Sequence, residues 1–486
     1  MGIRSALLTD LYELTMIQGY FFENMRNRVV FDMFFREQPF DGGFSVFAGL
    51  DDVIRELENL SFTGDDIAYL ASLQMFRPEF LDFLASFRFH GDLYAMDEGT
   101  IVFPNEPLVR IHGDIIEAQL IESMLLNILN FQTLIATKSA RVRVATDGRG
   151  EVMEFGLRRA QGVDGAMSAT RAAYIGGSSS TSNTLGGKLF GIPVSGTMAH
   201  SWIMAFKDEL TAFSKFAEYY PDHTVLLIDT YDTLDSGIEN AIQVGKLLTA
   251  QGKKFGVRLD SGDLHYLSVQ VRKRLDDAGL TKATIAVSNE LNEEIIHELV
   301  RDGAPIDYWG VGTHLVTGGN SASLTGVYKL ASVETEGGWK PVLKMSNNPA
   351  KMTNPGAKQV YRFLNGGGSP IADLLVLESE DPAFLEKPEI VFHHPAIMER
   401  GNFVLREWSA AIPLLHRKME NGKRLVTSPA LPEIHERAAM QVASLDKTFK
   451  RFLNPHIYKV SLSGELKEMK ADLIRSYRER YYSDSR

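Results

Sequence analysis

The chain has 486 residues and a net charge of −11, which disfavours general binding to nucleic acid or to anionic membranes. It has no cysteine, so disulfides, thiol nucleophiles and thiolate metal sites are excluded, and this composition fits a reducing cytoplasm. Its apolar runs are far shorter than the roughly 20 residues of a spanning helix, so we expect a soluble cytoplasmic protein.

The first part of the chain alternates helix-like and strand-like segments. TDLYELTMIQGYFFENM (9–25) and the apolar stretch from 116 to 142 have helical spacing, whereas RVVFDMFFRE (28–37) is β-rich. After residue 330 come further strand-like pieces and a terminal amphipathic segment from 466 that we interpret as a packing helix. These patterns predict domains at 1–130, 131–330 and 331–486, the first and last forming one flanking α/β domain.

The middle of the chain repeats one rhythm of a short β-rich run, a polar or glycine-bearing end, and a helical stretch. The predicted strands lie at 142–148, 152–159, 172–180, 192–198, 224–232, 254–262, 284–290 and 306–313. Such β-α units predict a parallel α/β barrel, irregular at its beginning because the first two strands are too close for a helix between them. An open doubly wound sheet is the alternative.

Polar and glycine residues collect where these strands end, and in parallel α/β folds those ends form the ligand site. Each one taken singly is also explained by helix capping or turn formation, but their convergence on one edge favours a site. The residues are Glu154, Arg158, Gly176, Gly177, Ser178, Ser195, Gly196, Thr197, His200, Asp229, Asp232, Arg258, Asp260, Asp263, Ser288, Asn289, Gly310, Gly312 and Thr313.

The segment FGVRLDSGDL (255–264) carries a cation beside acids. Arg258 lies two residues before Asp260, so both point to one face of a strand, and a guanidinium there can clamp a carboxylate or stack on a flat ring. Asp229 and Asp260 end successive strands, where carboxylates bind Mg²⁺, hold ribose hydroxyls, stabilise a developing cation or simply cap a helix. The sequence does not identify the metal ligands.

Two further features complete the candidate set. Ser288, and Gly310 with Gly312 and Thr313, follow the last two strands, where small residues let backbone N–H groups approach a phosphate. His200 follows a Ser-Gly-Thr strand end and is either a buried structural histidine or a nucleophile toward phosphoryl groups. Neither a Walker loop nor a G-x-G-x-x-G fingerprint is present.

These motifs, in this order, resemble the nicotinate phosphoribosyltransferase family. The matching segments are TDLYELTM (9–16), EFGLRRAQG (154–162), SGTMAHSW (195–202), LLIDTYDT (226–233), VRLDSGDL (257–264), SNELNE (288–293), GVGTHLVT (310–317) and KMTNPGAKQVYR (351–362). The resemblance implies an irregular, type II phosphoribosyltransferase-like α/β barrel with a flanking α/β domain built from both chain ends. It also implies a homodimer with shared active sites. The implied reaction converts nicotinate and phosphoribosyl pyrophosphate to nicotinate mononucleotide and pyrophosphate, coupled to ATP hydrolysis, in NAD salvage.

The resemblance also implies roles for individual residues. Nicotinate would be bound by Tyr12, Thr197 and Arg258, with Tyr12 stacking on the ring. Asp229 and Asp260 would order ribose, Mg²⁺ and the attacking ring, and His200 would be phosphorylated by ATP. The phosphoribosyl and phosphate groups would be bound by Arg158, Ser288, Gly310, Gly312, Thr313 and Thr353.

Three alternatives stay open. A nicotinamide-specific relative would need an acid near SNTLGG (182–187), where this chain has Asn183 and no carboxylate, so nicotinate is favoured. A quinolinate-type enzyme would need more cations for its dicarboxylate and no ATP histidine. A non-catalytic metabolite-binding relative is disfavoured because Tyr12, His200, Asp229, Arg258 and Asp260 are all present.

Overall fold

The structure is a computed structural model that describes residues 5–346, 351–395 and 402–482. The chain divides into two compact units, Met1–Leu134 with Ser323–Arg486, and Ile135–Ala322. Within the described ranges, no helix combines the length and the apolar character needed to cross a membrane.

The first unit is an α/β domain that combines the two ends of the chain, as predicted. Strand Arg28–Phe35 pairs antiparallel with Gly326–Thr335, and the rings of Phe31 and Tyr328 stack at 4.6 Å in the buried core of this unit. The seven-stranded antiparallel sheet runs in the order Gly338–Pro341, Gly326–Thr335, Arg28–Phe35, Val109–Asp114, Asp92–Ala95, His416–Glu420 and Lys423–Arg424.

Smaller sheets and helices complete the first unit. A four-stranded sheet contains Ala410–Pro413, Lys358–Leu364, Pro370–Leu377 and Lys459–Leu462, and two-stranded sheets pair Ile390–Phe392 with Phe403–Leu405 and Ser45–Val46 with Ile101–Val102. The α-helices are Leu11–Phe22, Leu50–Glu58, Gly64–Ser72, Pro78–Ala85, Ile115–Leu120, Glu122–Ala145 (which runs past the unit boundary), Leu431–Ser444 and Gly464–Tyr482.

The C-terminal helix Gly464–Tyr482 is a packing helix, as predicted. Leu466 is fully buried, and the Lys470 ammonium donates to the side-chain oxygen of Asn354 at 2.8 Å and to the carbonyl of Pro395 at 2.9 Å. Burial, reinforced by the nearby charge of Lys358, lowers the pKa of Lys470 to about 8. The helix therefore holds the loop that precedes strand Lys358–Leu364.

The second unit is built on a curled, entirely parallel sheet of six strands, which confirms the predicted irregular barrel. In chain order the first to sixth barrel strands are Glu151–Glu154, Ser180–Thr181, Thr224–Leu227, Phe255–Leu259, Thr284–Val287 and Tyr308–Val311. In space they run second, first, sixth, fifth, fourth, third. Because the last strand in sequence lies beside the first, the sheet curls towards closure rather than opening as a doubly wound sheet.

Helices alternate with these strands, as a parallel sheet requires. They are Gly162–Gly176, Thr184–Phe190, His200–Met204, Glu209–Tyr219, Ile238–Ala250, Leu264–Asp277, Glu293–Arg301 and Thr313–Thr317, with a π-turn at Thr233–Gly237 and a 3₁₀ turn at Leu157–Arg159. Past the second barrel strand, Val194 adds one parallel bridge to Thr181. In the part of the chain that the structure describes, no ladder joins Val194 to the third barrel strand, so the barrel is open there.

Parts of the early barrel were predicted wrongly. The stretch 142–148 is not a strand, because helix Glu122–Ala145 occupies its first four residues, with Val142 and Ala145 buried, and a turn follows. The stretch 172–180 is mostly the end of helix Gly162–Gly176, and 192–198 contributes only the bridge at Val194. Local composition suggested strands in these stretches, but tertiary packing placed them in helix, turn or loop.

A buried ion triad anchors the helix that follows the fifth barrel strand. Glu293 accepts from Arg141 Nε at 2.8 Å and lies 2.6 Å from Lys138 Nζ. Burial works to raise the pKa of Glu293, but the attraction of the two cations outweighs it and holds the pKa below its ordinary value. The loop that leads from the fifth strand into this helix begins at Ser288. The ion triad fixes the other end of that loop, at Glu293.

Candidate active site

His200 begins a short helix at the open side of the barrel. Its Nδ1 lies 3.0 Å from the hydroxyl of Thr230, and its Nε2 lies 3.7 Å from Oδ2 of Asp260. The side chain is 41% exposed. Each ring nitrogen thus has a polar neighbour, and the ring is open to solvent. These properties fit a reactive histidine better than a buried structural one.

Arg258, near the end of the fourth barrel strand, is the centre of the site. Its Nε donates to the Ser288 hydroxyl at 2.8 Å, and its Nη1 donates to the Thr197 hydroxyl at 2.9 Å and to the Met198 carbonyl at 3.3 Å. Nη2 lies 2.9 Å from Oδ1 of Asp260. Because the protein already occupies Nε and Nη1, only Nη2 can also donate to a substrate carboxylate. A two-nitrogen clamp would have to displace Ser288 or Thr197.

Asp229 and Asp260 lie side by side, as their positions on neighbouring strand ends predicted. Oδ2 of Asp229 accepts from the backbone N–H of Asp260 at 2.8 Å and from the hydroxyl of Ser261 at 2.6 Å. Oδ1 of Asp229 is enclosed and has no hydrogen-bond partner among the described residues. Asp229 therefore supports Asp260 with one oxygen and leaves the other available for a cation.

Phe155 is a site residue that the sequence reasoning missed. Its ring centroid lies 5.9 Å from the Arg258 guanidinium carbon, within the range of a cation–π contact. A Cβ on Gly310 would lie 2.7 Å from the Phe155 ring and 3.3 Å from Cβ of Ser288. Gly310 thus makes room for both side chains. The guanidinium lies over the aromatic ring, and both are flat groups on which a flat ligand can stack.

Thr230 and Ser261 were also missed, although each adjoins a predicted residue. Thr230 follows Asp229 and contacts His200, and Ser261 follows Asp260 and donates to Asp229. The signal was present in LLIDTYDT and VRLDSGDL, where hydroxyl residues stand directly beside the acids. Their role in orienting neighbours became visible only with the loops in place.

The other predicted phosphate-binding residues lie at nearby strand ends but outside this hydrogen-bond network. Gly312 precedes helix Thr313–Thr317 after the sixth barrel strand, and the Thr313 hydroxyl donates to Glu290 at 3.2 Å. Arg158 is exposed on the 3₁₀ turn that follows the first barrel strand. Their contacts with a ligand stay predictions.

Two predicted residues belong to the first unit. Tyr12 is 49% exposed on helix Leu11–Phe22, and burial of part of the phenol, with Glu13 beside it, raises its pKa, so it is neutral near pH 7. Thr353 is buried, and its hydroxyl accepts from the backbone N–H of Lys344 at 3.0 Å. This hydrogen bond ties Thr353 to Lys344, which precedes it in the chain.

Two polar residues near the second barrel strand have structural roles. Glu154 is buried and accepts from the hydroxyls of Thr181 at 2.6 Å and Thr170 at 3.1 Å. Asn183 caps helix Thr184–Phe190 by accepting from the backbone N–H of Gly186, while its amide donates to Thr170. The Asn183 side chain is therefore used in structural hydrogen bonds, and it adds no charge to the site.

Family models match the chain along most of its length. The model described as the nicotinate phosphoribosyltransferase (NAPRTase) family matches residues 151–393. Those described as the NAPRTase N-terminal domain and the nicotinate phosphoribosyltransferase C-terminal domain match residues 7–130 and 357–470. The matched ranges include every residue of the network around Arg258.

Individual relatives agree with these matches. A Bacillus subtilis (strain 168) protein named nicotinate phosphoribosyltransferase is 41% identical over 478 residues, covering 98% of this chain and 96% of its own. The crystal structure of human nicotinic acid phosphoribosyltransferase is 30% identical with a TM-score of 0.83, covering 96% of this chain and 99% of its own. That of nicotinate-nucleotide pyrophosphorylase from Pyrococcus furiosus is 25% identical with a TM-score of 0.70, covering 90% and 95%.

Proposed function

The chain belongs to the nicotinate phosphoribosyltransferase family, and from that premise we propose that it makes nicotinate mononucleotide and pyrophosphate from nicotinate and phosphoribosyl pyrophosphate. The observation that carries the proposal is the network in which Arg258 and Asp260 are paired at one strand end and open towards His200. The reaction feeds NAD salvage. Absence of cysteine fits a reducing compartment, and we place the enzyme in the cytoplasm.

Nicotinate is bound at the Phe155–Arg258 surface. The pyridine ring lies against the flat faces of the aromatic ring and the guanidinium, and its carboxylate takes the donor left on Nη2. Nε and Nη1 of Arg258 are already hydrogen-bonded within the protein, so this guanidinium has a donor for one carboxylate. That arrangement suits a monocarboxylate better than the dicarboxylate quinolinate. Asn183 is uncharged and used as a helix cap, so its side chain does not repel the anionic substrate.

Asp260 assists the transfer at the sugar. Its Oδ1 is paired with Arg258, and its Oδ2 faces the open side of the site. As the bond to pyrophosphate breaks, positive charge develops at the anomeric carbon, and a fixed carboxylate stabilises that charge. The ring nitrogen of nicotinate then forms the new bond to this carbon. Arg258 and Asp260 are adjacent because the anionic ring and the cationic carbon must meet.

The site fits a Mg²⁺ ion through the enclosed Oδ1 of Asp229, since carboxylate oxygen is a preferred Mg²⁺ ligand. Among the described residues no cluster of three or more acidic or histidine side chains could hold a metal alone. The remaining ligands would be pyrophosphate oxygens and water. When bound, the ion neutralises the leaving pyrophosphate.

ATP is the co-substrate, and His200 is its phosphoryl acceptor. A ring nitrogen attacks the γ-phosphorus, the P–N bond forms, the bridging P–O bond breaks and ADP leaves. Water later hydrolyses the P–N bond and releases phosphate. The exposed ring and its contacts with Thr230 and Asp260 support this role. The added charge, about −1.5 to −2 if it resembles other phosphorylated side chains, lies beside Asp260 and would alter the donor site.

The direct test is product formation by the purified protein. With nicotinate, phosphoribosyl pyrophosphate, Mg²⁺ and ATP, we expect steady formation of nicotinate mononucleotide, and we expect EDTA to abolish it because pyrophosphate departure needs the ion. Nicotinamide and quinolinate are run in parallel. Turnover of quinolinate without ATP stimulation, or a folded protein with no turnover on any substrate, would replace the proposal with one of its alternatives.

We also propose that the enzyme is a homodimer with shared active sites. Helix Leu11–Phe22 and the turn before it expose an apolar stripe, Leu8, Leu11, Tyr12 and Met16, at one-turn spacing. An exposed apolar stripe of this kind is typical of a protein–protein interface, and a second copy of the chain would bury it. Tyr12 on this stripe would then reach the partner's nicotinate site.

Mixing two inactive variants tests the shared site. Tyr12→Ala and Arg258→Ala are each expected to be nearly inactive, and after subunit exchange to recover about a quarter of wild-type activity. The reason is that half of the dimers are mixed, and each mixed dimer has one intact site. Light scattering after size exclusion checks the dimer. Mixed dimers without recovered activity would mean that Tyr12 acts within its own subunit or not at all.

A further inference from the structure

Ser288 lies between the two charged groups of the site. Its hydroxyl accepts from Nε of Arg258 at 2.8 Å and donates to Oδ1 of Asp260. The residue is only 4% exposed. Oδ1 of Asp260 therefore receives both the Ser288 hydroxyl and Nη2 of Arg258, and the three side chains close a ring of contacts.

We propose that Ser288 is a positioning residue that locks the orientation of Arg258 relative to Asp260, and not a ligand of the 5′-phosphate. This inference rests on the proposed function. A hydroxyl has one proton to donate, and the Ser288 hydroxyl already donates it in the hydrogen bond to Asp260. A phosphate oxygen can only accept, so it would have to compete with a carboxylate that already holds the proton.

The backbone around Ser288 supports this assignment. Asn289 has a φ of +107°, a value that residues other than glycine rarely adopt. The N–H of Ser288 is held by the carbonyl of Leu259 at 2.9 Å, so the chain turns sharply out of the sheet directly after the serine. Strained backbone of this kind persists where the surroundings enforce it, and it concentrates at functional sites.

The packing of Ser288 against the sixth barrel strand depends on Gly310. Gly310 leaves the space into which Cβ of Ser288 and the Phe155 ring both fit. Gly310, predicted to admit a phosphate, thus has a packing reason to lack a side chain. Ser288 and Gly310 together set how the guanidinium lies against Phe155.

Loss of the hydroxyl would therefore act on the nicotinate side of the reaction. Without the Ser288 hydroxyl, Nε of Arg258 loses its partner, and the guanidinium is held only through Nη1, by Thr197 and Met198, and through Nη2, by Asp260. The pyridine ring would lose its fixed platform, and Oδ1 of Asp260 would lose one of its two donors. Binding of a sugar phosphate, which does not use the guanidinium face, would be preserved.

The experiment compares Ser288→Ala with Ser268→Ala, which removes another buried hydroxyl of the same unit at helix Leu264–Asp277. In Ser288→Ala we expect kcat/KM for nicotinate to fall about tenfold or more, with a raised KM and a lowered kcat. Ribose 5-phosphate, competing with the donor, should inhibit within about twofold of wild type. Ser268→Ala should match wild type in both measurements.

The opposite result would overturn the inference. If ribose 5-phosphate binds about tenfold more weakly while the KM for nicotinate is unchanged, Ser288 is a phosphate ligand. No change in either quantity overturns it as well. If Ser288→Ala does not unfold cooperatively, Ser288→Cys keeps the side-chain size while weakening both hydrogen bonds and should show the same nicotinate-side loss. A wild-type protein that makes no nicotinate mononucleotide refutes the proposed function instead, which keeps the two failures distinct.

Discussion

The His200→Ala variant is expected to form no phosphoenzyme and to lose its stimulation by ATP, while keeping a basal rate of nicotinate mononucleotide formation. The variant lacks the nitrogen nucleophile, so label from γ-labelled ATP has no acceptor, and the ratio of rates with and without ATP should fall to about 1. The basal reaction should survive because Arg258 and Asp260, the residues we propose to contact the transferring groups, keep their own pairing at 2.9 Å.

His265 is the matched control for this experiment. It lies in the same unit, and its ring contacts only the carbonyl of Asp302, at 3.1 Å, in the described structure. His265→Ala should be labelled by ATP as the wild type is and should keep its stimulation. Full ATP stimulation in the His200→Ala protein, or label that persists in it, would show that the phosphoryl acceptor is another group.

The Arg258→Ala variant is expected to lose about 2–4 kcal/mol in kcat/KM for nicotinate, or roughly 30- to 1,000-fold. The substitution removes the proposed face for the ring and the donor on Nη2, and it leaves Asp260 without its partner Arg258. The KM for phosphoribosyl pyrophosphate should change far less, because the donor's phosphates do not depend on the guanidinium.

Arg258→Lys separates charge from shape. A lysine restores the positive charge but cannot reach Ser288, Thr197 and Asp260 at once, so we expect it to recover only a small part of the nicotinate affinity. Arg272→Ala is the control, because Arg272 also forms several contacts, with Asp276, Leu280 and Ala283, and none of these residues belongs to the network around Arg258. Normal KM values for both substrates in Arg258→Ala would refute the account of this site.

Some of the site could be read directly from the sequence. Arg258 and Asp260 share a face because strand side chains alternate, and Asp229 joins them because parallel strands end at one edge. The pairing at 2.9 Å and the support of Asp260 by Asp229 confirm that reasoning. The strands after residue 220 were found for the same reason, since each is a short apolar run bounded by polar turns and followed by a helical period.

Elsewhere local pattern was insufficient. Residues 142–148 have the β-branched composition of a strand, yet Val142 and Ala145 complete the buried face of helix Glu122–Ala145. Thr353 matches a motif expected to bind the donor, and its hydroxyl oxygen also accepts from the backbone N–H of Lys344. Neither outcome follows from composition, because burial and hydrogen-bond partners are supplied by segments distant in sequence.

The chemical groups at the strand ends follow from the amino-acid sequence alone, because side-chain type and the period of a strand are local properties. How those groups contact one another depends on the folded chain. The Ser288 hydroxyl lies between Arg258 and Asp260, and Phe155 fits beside Gly310, through contacts between residues 28 to 155 positions apart. The physical reason is that a hydrogen bond depends on distance and direction in space, which no single segment of the chain contains.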